Sequence, residues 1–231
     1  MFSNIKVIGF DADDTLWVNE PFYRETEQEF CKLLKDFHSE DFVNKELYDT
    51  EIKNLSLYGY GAKGFILSLI ETALRITNNQ LSQQTIGKII DLGKNLLNKP
   101  LELLNGVEDV LRYLETKNYK LIVATKGDLL DQERKLRNSK LEKYFHHIEV
   151  MSDKKIQNYS TLLNHLDILP ENFVMIGNSV RSDIIPVIEI GASAIHIPFH
   201  TTWIHESVDS KSIDQNKFIS IPSISQITDF F

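Results

Sequence analysis

Four short apolar runs in this chain end in the same manner, and that ending constrains the fold more than any other feature of the sequence. Val7-Ile8-Gly9-Phe10 stops at Asp11, and Lys120-Leu121-Ile122-Val123-Ala124-Thr125 stops at Lys126-Gly127-Asp128. Ile148-Glu149-Val150-Met151 stops at Ser152-Asp153-Lys154-Lys155, and Phe173-Val174-Met175-Ile176-Gly177 stops at Asn178-Ser179. Short apolar runs closed by polar loops read as strands buried on both faces, the environment of a parallel sheet. SAIHIPF at 193–199 is expected to add a fifth strand, and KFISI at 217–221 a weaker edge strand.

Helical periodicity fills the intervals between the later runs. Val107, Val110, Leu111 and Leu114 fall on one helical face, and residues 128–140 and 156–167 read as further helices. SDIIPVIEIGA reads as a short helix with Pro186 in its first turn and Gly191 as its stop. Strands alternating with helices imply right-handed crossovers and an α/β, doubly wound, mostly parallel sheet of Rossmann-like type. Ligands of such sheets bind beyond the carboxyl ends of the strands, where the polar clusters stand. Residues 18–100 break the alternation. Tyr23, Phe30, Leu33, Leu34 and Phe37 recur at helical spacing, FILSLIETALRI and IGKIIDLGKNLL continue the period, and no run reads as a strand. The expected organisation is a core of residues 1–17 and 101–231, with an all-α cap inserted at 18–100 that acts as a lid.

Composition narrows the function classes. A chain of 231 residues with 42% hydrophobic content can bury a sizeable core. Its net charge of −8 disfavours nucleic acid as a partner, but a local field can oppose the global sign, so anionic small molecules remain open. Cys31 is the one cysteine, which excludes an intramolecular disulfide, and no Cys/His set has zinc-ligand spacing. Cys31 itself falls in a helical apolar pattern and is expected to be buried and inert. With no signal-peptide pattern and no apolar stretch long enough to span a membrane, the chain is expected to be cytoplasmic, a monomer or homodimer, without a membrane partner.

Asp11, Asp13 and Asp14 crowd into four positions where the first strand stops. At about 4 Å and an effective dielectric near 20, one like-charge pair costs ~4 kcal/mol, so a compensating cation is expected among them. Asp11, an anion at neutral pH, is a candidate nucleophile. If the extended backbone persists, Asp13 shares its side, and one carboxylate can attack while the other carries a proton. Thr15 offers a hydroxyl beside them. Asp183, after the fourth strand, adds a carboxylate from a distant part of the chain, and oxygen-only ligands of this kind suit Mg2+. Asp183 is also expected to cap a helix, and Asp14 to serve the turn. Thr125 supplies a hydroxyl donor, Gly127 permits close backbone approach, and Lys154, favoured over Lys155, sets an ammonium at a helix start. Carboxylates, a hard cation, a lysine and hydroxyls together describe phosphoryl transfer. Ser179 lacks the glycine that a nucleophile elbow needs where Arg181 stands. Trp17 is expected to pack under the cap, with lining the cleft as the alternative, and HTTWIHE at 200–206 to form a polar loop rather than a metal site.

The four clusters resemble the motifs of the haloacid dehalogenase-like hydrolase superfamily, in its phosphatase branch with a helical cap. DADDT matches the first motif at Asp11, Asp13 and Thr15; LIVATKGD the second at Thr125; MSDKKIQNY the third at Lys154; and GNSVRSD the fourth at Asp183. The resemblance implies that Asp11 attacks phosphorus to form an aspartyl-phosphate, while Asp13 protonates the leaving alcohol and then activates water. It implies Mg2+ held by Asp11, the Asp13 carbonyl and Asp183, and a phosphoryl group held by Thr125 and Lys154. Asn178 stands where many members carry aspartate, so an amide would ligate the metal or orient a metal-bound water there. Asp13 argues against dehalogenase chemistry, because the dehalogenases of the family lack it. YGYGAKGF at 58–65 resembles the family's substrate-selecting cap loop; Gly59, Gly61 and Gly64 make it flexible, and Lys63 would meet a polar or anionic substrate group. The implied activity is that of a Mg2+-dependent phosphatase for a small phosphorylated metabolite. A phosphomutase and a non-catalytic phosphate-binding or interaction protein are the alternatives.

Overall fold

A computed structural model describes residues 2, 4–206 and 218–231. The apolar runs become strands β1 (Val7–Phe10), β2 (Lys120–Lys126), β3 (His147–Met151), β4 (Phe173–Gly177), β5 (Ser193–His196) and β6 (Ile219–Ser220). They form one sheet in the order β3-β2-β1-β4-β5-β6, with every pairing parallel. β1 is central: Phe10 lies level with Val123 on one side and Ile176 on the other. The fifth strand is shorter than its apolar run, ending at His196 ahead of Pro198, which has no N–H to give to a ladder. The edge strand is reduced to two residues, and Lys217 of the expected KFISI run lies outside the described residues.

The helices are α1 (Glu20–Leu34), α2 (Glu40–Tyr58), α3 (Ala62–Ile76), α4 (Gln83–Leu97), α5 (Val107–Thr116), α6 (Leu129–Ser139), α7 (Ile156–His165) and α8 (Ile185–Glu189). Period-two alternation divides the strands between two cores. Ile8 and Phe10 pack with Val110 and Leu114 of α5 and Leu136 of α6. Val7 packs on the opposite face with Tyr159 and Leu162 of α7 and Val187 of α8. This double cover is why the strands read as continuous apolar runs. Among the described residues, no helix is long and apolar enough to cross a membrane.

The chain divides into two units. The first, Met1–Glu20, Leu101–Lys126 and Gln132–Phe231, carries the sheet. The second, Pro21–Pro100 with Gly127–Asp131, has its own core, built from Phe30 and Leu34 of α1, Val43 and Leu47 of α2, Leu69 and Ala73 of α3, and Ile89 and Leu96 of α4. Cys31 is buried there, with Sγ 3.1 Å from Asn44 Oδ1. The glycine-rich stretch 58–65 is not the flexible loop its composition suggests. α2 runs to Tyr58 and α3 starts at Ala62, so Gly59–Gly61 form a tight corner and Gly64 lies inside a helix. The Gly59 N–H closes onto the Leu55 carbonyl at 3.1 Å, while Gly59 (φ 72°) and Gly61 (φ 111°) take conformations that side chains disfavour.

Candidate active site

Because β1 is central and parallel to its neighbours, the residue after it emerges between the ends of β2 and β4. The Asp11 N–H continues the ladder onto the Ile176 carbonyl at 2.8 Å. The extended backbone then stops. The N–H groups of Thr15 and Leu16 turn back onto the Ala12 carbonyl at 3.2 and 2.8 Å, and Asp14 adopts φ 63°. Asp11 and Asp13 present their carboxylates to different partners, because the extended backbone on which strand alternation depends does not persist past Ala12. Asp11 faces Lys154 and Thr15, whereas Asp13 faces Trp17, Gln132 and Lys135. Asp14 serves the turn. Its carboxylate accepts the N–H of Asn19 at 2.8 Å and of Glu20 at 3.0 Å, satisfying donors at the start of α1. Burial pushes its carboxyl up to about 8 against the pull of those backbone donors.

The other side of the site is built around Lys154. Its Nζ lies 2.5 Å from Asp11 Oδ1 and 2.6 Å from Asp183 Oδ1, with all three residues buried. Burial opposes the ammonium, but the two carboxylates outweigh it and hold its pKa above the ordinary value. Lys155 turns outward onto Asp153 at 2.7 Å, so the two adjacent lysines have separate surroundings. Burial, with a contribution from Asp183, raises the Asp11 carboxyl to about 7 although Lys154 pulls it down. One ammonium between two buried acids leaves the site short of positive charge.

Asp183 sits in a π-helical turn, Val180–Ile184, a geometry that recurs at functional sites. The cap of that turn is Ser179, whose hydroxyl accepts the Ser182 N–H at 3.1 Å. Asp183 reaches back instead, and its Oδ2 accepts the Ser179 N–H at 3.0 Å. Gly177 makes this possible, since a Cβ there would lie 2.3 Å from the Asp183 carboxyl carbon. Thr15 Oγ1 stands between Asp11 Oδ2 at 3.2 Å and Asn178 Oδ1 at 3.4 Å, which brings the amide beside the first carboxylate.

These donors fit Mg2+. Among the described residues, no three His, Cys, Asp or Glu side chains gather as a metal cluster, because Asp13 is turned aside and position 178 is an amide. What converges is two carboxylates, Asp11 and Asp183, with the neutral oxygen of Asn178 alongside, and Mg2+ characteristically takes one or two carboxylates and keeps its waters. The deficit of positive charge points the same way.

The remaining expected residues are placed as follows. Thr125 is buried at the end of β2 and donates to the Lys126 carbonyl at 3.2 Å. Gly127, at φ 126°, opens the segment grouped with the helical unit. Lys63 is engaged within that unit by Asp128: its N–H lies 2.9 Å from Asp128 Oδ2 and its ammonium 3.4 Å from Oδ1.

Several participants have contacts that the sequence does not show. Trp17 is buried, but its Nε1 donates to Asp13 Oδ1 at 2.7 Å. Gln132 and Lys135 reach Asp13 from 119 and 122 residues away, a proximity that only the β1–β2 pairing creates. Glu206, in the loop expected to be merely polar, accepts from Lys126 Nζ, Ser179 Oγ and Ser182 Oγ, each at 2.5 Å. Burial opposes its charge, but Lys126 and the two hydroxyls prevail and bring its carboxyl down to about 2.

A family model described as haloacid dehalogenase-like hydrolase matches residues 5–191. A haloacid dehalogenase-like family hydrolase from Xanthomonas campestris is 36% identical, with 96% of this chain and 88% of that chain covered and a TM-score of 0.85. A predicted phosphoglycolate phosphatase from Haemophilus somnus 129PT is 16% identical over 100% of this chain and 99% of its own, TM-score 0.63. A 2-haloacid dehalogenase from Pseudomonas syringae pv. Tomato DC3000 is 17% identical over 97% of each chain, TM-score 0.64. No curated protein matches the chain. The last two structures share the fold at low identity, and a fold that carries both phosphatase and dehalogenase names does not choose between those chemistries.

Proposed function

Because this chain belongs to the haloacid dehalogenase-like hydrolases, we propose that it is a Mg2+-dependent phosphatase acting on a small phosphorylated metabolite. The observation that carries this reading is the Asp11–Lys154–Asp183 cluster with a separately held carboxylate, Asp13, two residues from Asp11. The first group suits a nucleophile in a cationic anion site. The second supplies what a phosphate ester needs and a halide does not: a proton for the departing oxygen.

In the proposed reaction, an Asp11 carboxylate oxygen attacks phosphorus and the ester P–O bond breaks. Asp13 gives its proton to the leaving alcohol. Water then attacks the aspartyl-phosphate, Asp13 takes the water's proton, and phosphate departs with the Asp11 carboxylate restored. Lys154 and Thr125 bind the phosphoryl oxygens, with Gly127 allowing close backbone approach. Mg2+, held by Asp11, Asp183, the Asp13 carbonyl and Asn178, would neutralise phosphoryl charge when bound. The helical residues 18–100 take the role of a substrate-selecting cap, with Lys63 as a contact for a polar or anionic substrate group.

The test is phosphate release from 4-nitrophenyl phosphate and a panel of phosphorylated metabolites. Wild-type protein is expected to release phosphate with Mg2+ and to stop on chelation, and Asp11→Asn is expected to fall to background. Release that survives Asp11→Asn removes the nucleophile, and release indifferent to chelation removes the metal. An isomeric phosphate with little free phosphate would mark a mutase instead.

A further inference from the structure

The Asp13 carboxylate is surrounded by donors that the proposed chemistry does not require. Trp17 Nε1 and Lys135 Nζ both donate to Oδ1, at 2.7 and 2.9 Å, and Gln132 Nε2 donates to Oδ2 at 2.8 Å. Each donor is itself held. Trp17 is 1% exposed and tied by the turn that follows β1. Lys135 Nζ also donates to Asn19 Oδ1 at 2.7 Å, and Gln132 Nε2 to the Lys126 carbonyl at 3.0 Å. Gln132 and Lys135 are three residues apart on α6, so they project from one side of that helix. Donors from two elements therefore fix the plane of one carboxyl group.

The pattern distinguishes its two oxygens. A carboxylate oxygen has about two lone-pair sites. Oδ1 uses both, on Trp17 and Lys135, whereas among the described residues Oδ2 has only Gln132 and keeps one site open. We propose that Lys135, with Gln132 and Trp17, is a positioning residue that orients Asp13 so that Oδ2 is the atom that moves the proton. This rests on the phosphatase reading. As Asp11 bonds to phosphorus and the P–O ester bond breaks, the proton passes from Asp13 Oδ2 to the departing oxygen and leaves a carboxylate. As water bonds to phosphorus and the aspartyl C–O–P linkage breaks at P–O, the water's proton returns to Oδ2.

Positioning of an acid has a signature that general damage to the fold lacks. It matters most when the leaving oxygen is basic. The test compares kcat/KM for phenyl phosphate, whose oxygen needs the proton, with that for 4-nitrophenyl phosphate, whose phenolate leaves with little help. General acid catalysis contributes roughly a hundredfold to ten-thousandfold, so Lys135→Met is expected to cost about tenfold more on phenyl phosphate than on 4-nitrophenyl phosphate. Lys135→Arg, which restores a cationic donor, is expected to recover most of that difference. Gln132→Leu gives a second route to the same readout should Lys135→Met fail to fold, with a smaller preferential loss. In an Asp13→Asn background, Lys135→Met is expected to change the ratio no further. Equal losses on both substrates, or a ratio that Lys135→Met still changes without Asp13, would overturn the proposal. Asp11→Asn separates the two levels. If it abolishes release while the Lys135→Met losses are equal, the positioning role alone fails; if it leaves release intact, the Asp11 aspartyl-phosphate mechanism fails first, and if wild-type protein releases no phosphate from either ester, the phosphatase reading fails.

Discussion

At the scale of residues, the candidate site depends on one absent side chain as much as on those present. Asp183 reaches Lys154 and the Ser179 N–H only because Gly177 leaves its carboxyl room. The carboxyl is not the loose end of a flexible chain: one oxygen is held by an ammonium and the other by a backbone donor. Gly177→Ala must therefore displace it or shift β4, at an overpacking cost of about 1–3 kcal/mol. Phosphate release is expected to fall at least tenfold, with a matching loss in the free energy of unfolding by urea. Gly87 is the control. It lies in α4, and a Cβ there meets nothing within 4 Å. Gly87→Ala is expected to raise stability by roughly 0.5–1 kcal/mol and to leave release unchanged. A Gly177→Ala protein as active and as stable as wild type would mean that the Asp183 arrangement is not what the site needs.

At the scale of elements, Glu206 joins the segments that leave β2 and β4. Lys126 ends β2, Ser179 and Ser182 follow β4, and all three donate to one half-buried carboxylate. Its pKa is about 2 in the folded protein against an ordinary 4.5. A depressed carboxyl contributes stability that is complete above the unfolded value and is lost as pH falls from 4.5 toward 2. Over that interval the linkage is worth a few kcal/mol. Glu206→Gln is expected to be less stable than wild type at pH 7, and the gap is expected to narrow as unfolding is measured at successively lower pH. A gap that stays constant down to pH 3 would mean that the charge of Glu206 is not what holds these segments. The same contrast between near and far shows what was legible in the sequence. The inner strands β1, β2 and β4 could be read because they are buried and apolar on both faces, and Asp11, Thr125, Lys154 and Asp183 because each lies within a few residues of a strand end. Asp14's service to a turn could be read as well, but not where that turn sends Asp13, since its closure onto the Ala12 carbonyl is a backbone event that the run of aspartates does not announce. Nor could the corner at Gly59–Gly61, where glycine composition suggests mobility but the positive φ angles serve a tight join between helices. Glu206, Gln132 and Lys135 were illegible for a simpler reason: their importance comes from partners brought near by strand pairing.

At the scale of the whole molecule, the charge balance bears on how a phosphate ester would arrive. The chain carries 33 acidic against 25 basic residues, a net −8. Within the site, Lys154 lies between Asp11 and Asp183, Lys126 is paired with Glu206, and Lys135 with Asp13. The positive side chains there are compensated, so at long range a phosphate dianion meets the net negative field even with one Mg2+ bound. Such repulsion is felt beyond a few ångströms only where salt does not screen it. The Debye length is about 30 Å at 0.01 M ionic strength and about 8 Å at 0.15 M. At saturating Mg2+, kcat/KM for a phosphorylated substrate is therefore expected to rise about two- to fivefold as NaCl is raised from near 0.01 M to 0.15 M, through the capture step that charge steering controls. A neutral competitive ligand should show no such rise. A fall in kcat/KM with salt would mean that the local field of the metal and Lys154 extends far enough to outweigh the rest of the molecule, and that the acidic surface is no barrier to an anionic substrate.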